Sequence, residues 1–271
     1  MTMTIHRTAI IADGAQIDET AQIGPYAVIG PDVKIGARTK VGAHAVIDGI
    51  TTIGEDCNIF AGASIGLDPQ DLAYKNEPTG VIIGNRVIIR EYATIHRATH
   101  EGFTIIGDDC FLMNYVHIAH NCKLGKGVIL ANLSNLAGYV QIADHVVCAG
   151  MFVAHQFVRI GKMCMVSGVS GARVDLPPYT ICAGRRLRVR GVNVVGMRRN
   201  KIGMEVRSAI KEAYRLLYRT DLNATQALEQ IEKEIHPHPE ILEILEFYRT
   251  SKRGVVGRNE PASDGEDGDD A

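Results

Sequence analysis

The sequence predicts a left-handed parallel β-helix of about eight coils, followed by a small C-terminal α-helical domain. Three observations lead to this prediction. An inward-type aliphatic residue recurs at every sixth position, the residue after it is often Gly, and the residue two before it is small or β-branched. A fixed period of six fits neither an amphipathic α-helix nor simple strand alternation, and it is typical of hexapeptide β-helices.

The repeat occupies three blocks, at 11–65, 83–95 and, after a slip of phase, 106–166. Each hexad should form one short strand and one turn. Its aliphatic residue points inward, a smaller residue fills the space beside it, and Gly or another turn-tolerant residue takes the corner. Three hexads close a triangular coil of about 18 residues, and successive coils pair as parallel strands about 4.8 Å apart.

The β-helix is expected to span residues 1–190, with a loop insertion at 67–80. A second interruption, at 97–104, coincides with the slip of phase. Loops that interrupt a repeat often carry function, because the scaffold does not require them.

The hexads fade through Pro177 and Pro178, and helical periodicity follows in a domain expected at 191–255. We predict helices over 204–218, after a capping Asn223, and over 240–248. Residues 256–271 are rich in acidic side chains and nearly devoid of apolar ones, so we expect a disordered tail.

Composition limits the class of protein. The start of the chain has no apolar segment typical of a signal peptide, and no run approaches 18 apolar residues. We therefore expect a cytoplasmic protein. The net charge of −2 conceals a basic run between Arg185 and Lys201. That run is either a solvated surface or a docking patch for phosphates or an acidic protein.

The six cysteines fit the repeat better than a metal or disulfide framework. Four occupy the small inward position and one the aliphatic position, which predicts small core hydrophobes. Cys182 lies beyond the clear repeats and is unassigned. The five assigned residues are Cys57, Cys110, Cys122, Cys148 and Cys164.

The repeat places one group of polar residues in a column. His120, Gly138 and Gln156 are 18 residues apart and should lie on one face of successive coils. An exposed His120 could act as a general base, and the open backbone N–H of Gly138 could stabilise an oxyanion. The spacing of His117 and His120 leaves a zinc site open as an alternative.

These motifs together resemble the UDP-N-acetylglucosamine O-acyltransferases of lipid A biosynthesis. The resemblance covers the chain to about residue 255. It rests on VHIAHNC around His120, ILANLSNLAG at 129–138, AHQF at 154–157, the Gln70–Asp71 loop and RGVNVVGMRR at 190–199.

The resemblance implies homotrimers of left-handed β-helices with active sites between adjacent prisms. The expected reaction moves a 3-hydroxyacyl group from acyl carrier protein to the 3-OH of UDP-N-acetylglucosamine. It needs no metal and no cofactor beyond the phosphopantetheine of the carrier. His120 would be the base and the Gly138 N–H the oxyanion donor.

The resemblance also assigns binding residues. Sugar or acyl contacts would come from Gln70, Asp71, His117, His155 and Gln156. Contacts to phosphates and carrier would come from Asn193, Arg198 and Arg199. Met165 and Gly168 match the region that measures acyl length, and a Gly at position 168 predicts a longer chain.

The chain departs from the family pattern at Asn121, Tyr139, Ala73, Val195 and the arginines of 185–190. Several other functions stay open. One is acylation of a 3-amino sugar, which would give an amide. Others are a CoA-dependent sugar acetyltransferase, a zinc carbonic anhydrase on the same scaffold, and a binding protein with a decayed site.

Overall fold

A computed structural model describes residues 4–257 of the chain. The six-residue repeat forms the core: every member from Ile23 to Val166 is buried, and so is the residue two positions earlier in each of these hexads, which is small or β-branched except for Phe152 before Ala154. Ile11 and Ile17 are only half-buried. They lie in the first coils, where fewer neighbours cover them. The structure is the left-handed parallel β-helix that the sequence predicts.

The coils are built from very short strands. Strands β1 to β10 are, in order, Thr4–Ile5, Ile10–Ile11, Gln16–Ile17, Gln22–Ile23, Val28–Ile29, Val33–Ile35, Lys40–Val41, Val46–Ile47, Ile50–Ile53 and Asn58–Ile59. Strands β11 to β20 are Ser64–Leu67, Gly80–Ile83, Ile88–Ile89, Thr94–His96, Phe103–Ile106, Phe111–Leu112, His117–Ile118, Lys123–Leu124, Ile129–Leu130 and Asn135–Leu136. Strands β21 to β28 are Gln141–Ile142, Val147–Cys148, Phe152–Ala154, Arg159–Ile160, Met165–Val166, Ser170–Ala172, Thr180–Ala183 and Arg188–Val192.

Up to β26, every third strand belongs to the same face of the prism, and β27 and β28 then extend the first face. Within residues 4–257, the first face holds 11 strands beginning with β1, the second holds nine beginning with β2, and the third holds eight beginning with β3. All pairs among these described strands are parallel except β27 with β28. The β-helix extends beyond the repeat blocks at 11–65, 83–95 and 106–166. Strand β1 precedes these blocks, and β26 and β27 follow them.

The corners correct one expectation about glycine. The Gly after the inward residue is needed for close stacking: a Cβ on Gly36 would lie 2.7 Å from the backbone of Gly54 in the next coil. The left-handed corner residue comes two positions later and is usually not Gly, as at Tyr139 with φ 62°. Non-Gly residues therefore carry the strain of this conformation along most of the prism.

The loop between β11 and β12 is fixed to the prism by contacts with the segment that follows β14. Arg97 pairs with Asp68 and lies over the ring of Tyr74, 5.7 Å from its centroid. The Thr79 hydroxyl donates to the carbonyl of Ala98 at 2.5 Å. The loop therefore has a defined path over the coil that carries Arg97.

The C-terminal part begins with an antiparallel hairpin of β27 and β28, which the hexad pattern did not predict. Four helices follow in the described part of the chain: α1 (Val194–Arg199), α2 (Met204–Tyr218), α3 (Ala224–Glu234) and α4 (Pro239–Arg249). The sequence predicted α2, α3 and α4 and missed α1. Asn223 forms a capping box with Gln226 at the start of α3, as its position suggested.

The helices pack on the end of the prism through buried tyrosines. Tyr179 donates to a Glu243 carboxylate oxygen at 2.5 Å, and Tyr214 donates to the Pro178 carbonyl at 2.6 Å. No helix in residues 4–257 is long and apolar enough to span a membrane. Most of the expected acidic tail, residues 258–271, lies outside the described residues.

All six cysteines are buried and unpaired, which confirms the core interpretation for the five assigned ones. Cys182 lies on β27 opposite Val166, at the inward position of the first face. It therefore also belongs to the core.

Candidate active site

His120 and Gly138 lie on adjacent coils at the corner between the second and third faces. His120 follows β17 by two residues and Gly138 follows β20 by two residues. The imidazole lies directly against Gly138: a Cβ there would be 2.5 Å from both Cε1 and Nε2 of the ring. Only a residue without a side chain permits this position of His120.

The expectation that His120 is exposed is wrong. Its side chain is 8% exposed. The Asp71 carboxylate lies 3.7 Å from Nε2, and the ring of Tyr139 meets the imidazole edge-on at 5.3 Å between centroids. The 18-residue spacing of His120 and Gly138 predicted where the His120 imidazole lies. The loop between β11 and β12 covers this imidazole, and its path could not be predicted because its sequence has no periodicity.

Asn121 fixes the orientation of the imidazole. Its Oδ1 accepts from the Thr99 N–H at 2.9 Å, and its Nδ2 donates to the Glu101 carbonyl at 3.1 Å. Oδ1 therefore also faces His120 Nδ1, at 2.9 Å. An amide oxygen can only accept, so Nδ1 carries the hydrogen and Nε2 keeps its lone pair.

The Gly138 N–H is unpaired but not open. None of the described residues accepts a hydrogen bond from it. Gly138 itself is buried in the single chain because the His120 ring covers it. An unpaired buried N–H next to a basic nitrogen is a donor available to a reacting group that enters between them.

The loop places Asp71 but leaves Gln70 exposed. Asp71 accepts from the Ala73 N–H at 3.0 Å. This bond, together with positive charge on His120, lowers the pKa of the Asp71 carboxyl below its ordinary value. Asp71 is thus a carboxylate near neutral pH and contributes negative charge beside Nε2.

His117 forms a second group with His96, a residue that sequence reasoning missed. The two rings meet edge-on at 5.2 Å, and His117 Nδ1 is hydrogen-bonded to the Thr94 hydroxyl at 2.8 Å. Burial, with a smaller contribution from His96, lowers the pKa of His117 to about 4. The available signal was position: His96 and Arg97 directly follow Ile95, where the repeat breaks.

Gln156 continues the column of His120 and Gly138, as the 18-residue spacing predicts, because Ile118, Leu136 and Ala154 pair in register. His155 and Gln156 are exposed on the coil that follows Gly138 in the chain. Met165 lies on the first face, and Gly168 lies at the corner between the first and second faces. One prism therefore presents His120 and Gly138 at one corner, and Met165 and Gly168 on and beside the first face.

The C-terminal residues also lie apart. Asn193 accepts from the Gly196 N–H and donates to the Met163 carbonyl at 2.8 Å, so its amide is occupied in capping α1. Arg198 and Arg199 are exposed in the last turn of α1. Within the described part of the chain, no group of three or more His, Cys, Asp or Glu side chains could hold a metal ion.

Comparisons with known proteins agree across both parts of the chain. Residues 14–49 and 103–138 match the hexapeptide repeats of bacterial transferases, and residues 175–256 match domain 2 of UDP N-acetylglucosamine O-acyltransferase.

Acyl-[acyl-carrier-protein]–UDP-N-acetylglucosamine O-acyltransferases are similar over nearly their whole length. The one from Thermodesulfovibrio yellowstonii is 48% identical, covering 93% of this chain and 98% of its own. The one from Burkholderia orbicola is 46% identical with the same coverage.

Solved structures give the same result. The UDP-N-acetylglucosamine acyltransferase of Francisella novicida superposes with a TM-score of 0.91 at 36% identity, covering 95% of each chain. The protein from Acinetobacter baumannii gives 0.89 at 42% identity, covering 93% of this chain and 99% of its own. The similarity thus extends over the prism and the C-terminal helices.

Proposed function

This chain belongs to the UDP-N-acetylglucosamine O-acyltransferases, and from that premise we propose that His120 is the general base of the transfer. The enzyme moves an acyl group from acyl carrier protein to UDP-N-acetylglucosamine, the first step of lipid A biosynthesis. The observation that supports His120 is its fixed tautomer, with Nδ1 bound to Asn121 and Nε2 adjacent to the unpaired Gly138 N–H.

In the proposed mechanism, Nε2 takes the proton of the sugar 3-hydroxyl as its oxygen attacks the thioester carbonyl of a 3-hydroxyacyl carrier. The carbonyl oxygen becomes an oxyanion and accepts a hydrogen bond from the Gly138 N–H. The intermediate then collapses and breaks the C–S bond. The imidazolium returns its proton to the leaving phosphopantetheine thiolate, which restores neutral His120.

In a Ser-His-Asp triad, one carboxylate both orients the imidazole and stabilises the imidazolium; here Asn121 and Asp71 each perform one of these two functions. Asn121 orients the ring without adding charge. Asp71, at 3.7 Å on the other side, offsets the positive charge that the ring gains during attack. The neutral residue at position 121 is therefore compatible with base catalysis.

The separation of the two corners supports a site between copies of the chain. His120 and Gly138 lie at one corner, and Met165 and Gly168 lie toward another. A groove that contains both groups needs a second prism, and we assign the enzyme a homotrimer. Gly168 leaves that groove open, so a fourteen-carbon donor should be preferred over a ten-carbon one.

The remaining contacts follow from chemistry and position. Gln70, Asp71, His117, His155 and Gln156 are proposed to contact sugar or acyl chain. Arg198 and Arg199 are proposed to bind phosphates or carrier, with Asn193 holding the α1 segment that presents them. Carrier thioesters and nucleotide sugars are cytoplasmic compounds, so we assign the enzyme to the cytoplasm.

The test is acyl transfer from 3-hydroxyacyl carrier protein to UDP-N-acetylglucosamine by wild type and by His120→Ala. Loss of a general base should lower the rate about 10²- to 10⁴-fold. His145→Ala is the matched control, because His145 also lies against a glycine, Gly127, but at a different corner. Equal rates for wild type and His120→Ala would remove His120 from the mechanism. Mass analysis of the product distinguishes an ester from an amide.

A further inference from the structure

A cavity of about 710 Å³ near the C-terminal end of the prism combines an apolar floor with a cationic rim. Four arginines line it: Arg173, Arg185, Arg186 and Arg188. No Asp or Glu is among the described residues that line it. The other lining residues are Val153, Ala154, His155, Gly171, Ala172, Val174, Leu176, Leu187 and Val256.

This concentration of charge needs an explanation. Guanidinium groups stay charged at any physiological pH, so arginines in one concave surface repel one another. An apolar floor excludes water and strengthens the positive potential. Arg173 and Arg185 are exposed, and neither they nor Arg188 pairs with a carboxylate in residues 4–257. The cavity is therefore suited to a polyanion.

The described chain ends at the wall of this cavity. Val256, a lining residue, is 2% exposed. Its N–H donates to the Asp175 carbonyl at 2.9 Å, and its carbonyl accepts from the Tyr218 hydroxyl at 2.8 Å. The backbone is thus fixed at the point from which residues 258–271 continue.

Those following residues have the complementary charge. They contain one basic residue, Arg258, and six acidic ones: Glu260, Asp264, Glu266, Asp267, Asp269 and Asp270. Each residue can span about 3.3–3.6 Å, so a few residues suffice to cross the cavity. A segment joined at the rim has an effective concentration on the order of millimolar, which makes even weak ion pairs sufficient for occupancy.

We propose that residues 259–271 bind in this arginine cavity as an intramolecular acidic peptide. His155, one of the residues assigned to substrate contact, lines the same cavity. The inference does not depend on the proposed catalytic mechanism, and its test requires no turnover.

The test uses the full-length chain and a fluorescein-labelled synthetic peptide of residues 258–271, with binding followed by anisotropy at low salt. In a neutral-tail variant, the six acidic residues are replaced by their amides at constant chain length. The peptide should bind this variant at least tenfold more tightly than wild type, because the wild-type segment already occupies the cavity. Binding should weaken as salt is added.

The location is tested in the neutral-tail background. Arg173→Glu with Arg185→Glu should weaken peptide binding at least tenfold. Lys211→Glu with Arg219→Glu makes the same charge change at exposed positions near the helices and should leave binding within twofold. Thermal melts check that each variant is folded.

Three outcomes overturn the proposal. The peptide could fail to bind the neutral-tail variant, which leaves the cavity without this ligand. It could bind equally to both pairs of charge-reversal variants, which places its site elsewhere. It could bind wild type and neutral-tail variant equally, which shows that the chain's own segment does not occupy the cavity.

Discussion

Gly138→Ala is the sharpest test of how the site is built. The added Cβ would lie 2.5 Å from Cε1 and Nε2 of His120, whereas ordinary carbon contacts are about 3.5 Å. The imidazole must therefore move by about 1 Å. The backbone itself is not strained by the substitution, because Gly138 does not have a positive φ.

A shift of about 1 Å in a reacting group can lower activity about 100-fold. That loss corresponds to about 2.7 kcal/mol of transition-state stabilisation. The backbone N–H is retained in Gly138→Ala, so the substitution tests the position of His120 and not the oxyanion donor. We expect kcat/KM for acyl transfer to fall by this factor with little change in Tm.

Gly150→Ala is the matched control. Gly150 occupies the same hexad position, two residues after an inward Cys148, but its Cβ would meet only the Asn132 carbonyl oxygen at 3.3 Å. Its kcat/KM should stay within threefold of wild type. Wild-type activity in Gly138→Ala, or equal losses of activity in both variants, would show that contact with Gly138 does not position His120.

Three further predictions concern the surroundings of the site. The pKa of His117 is about 4 in the folded chain against an ordinary 6.5. The contribution of neutral His117 to the free energy of unfolding is therefore fully present above about pH 6.5 and is lost as the pH falls toward 4. After allowance for solvent screening at this half-buried ring, the loss is about 1–2 kcal/mol, and urea unfolding should show a smaller pH dependence in His117→Gln; an unchanged dependence would contradict the assignment. Arg97→Ala should free the 68–79 loop, increase protease cleavage within it and lower kcat/KM about tenfold, equivalent to about 1.4 kcal/mol; a loop that stays protected would show that Arg97 is not its anchor. All six thiols are buried, and burial raises the pKa of Cys122 to about 12, so a thiol reagent should label no cysteine rapidly in the native protein and six after unfolding; a fast-reacting native thiol would contradict the packing.

The periodic part of the structure could be predicted from the sequence. A six-residue period determines which side chains point inward, so the burial of Cys57 or Ile118 follows from position alone. The stacking of His120 on Gly138 follows from the 18-residue coil. Helix α3 was recognisable because Asn223 is a strong capping residue.

The remainder depends on contacts without a period. The loop over His120 returns to the prism through Arg97 and Asp68, which are 29 positions apart and share no pattern. The burial of His120 was therefore missed, together with the roles of His96 and Arg97. The hairpin of β27 and β28 was missed because antiparallel pairing follows turn geometry and has no hexad signal.

The two loops also show how the scaffold can change. Ser64 pairs with Thr94 across 30 positions and Thr94 pairs with His117 across 23, where an uninterrupted coil takes 18, yet the inward residues remain in register. Extra chain is therefore accommodated at a corner without moving the rungs on either side. A change in loop length should therefore leave the stacking of His120 on Gly138 in place. The rungs therefore set the stacking of His120 on Gly138, whereas the loop sets the position of Asp71 beside His120.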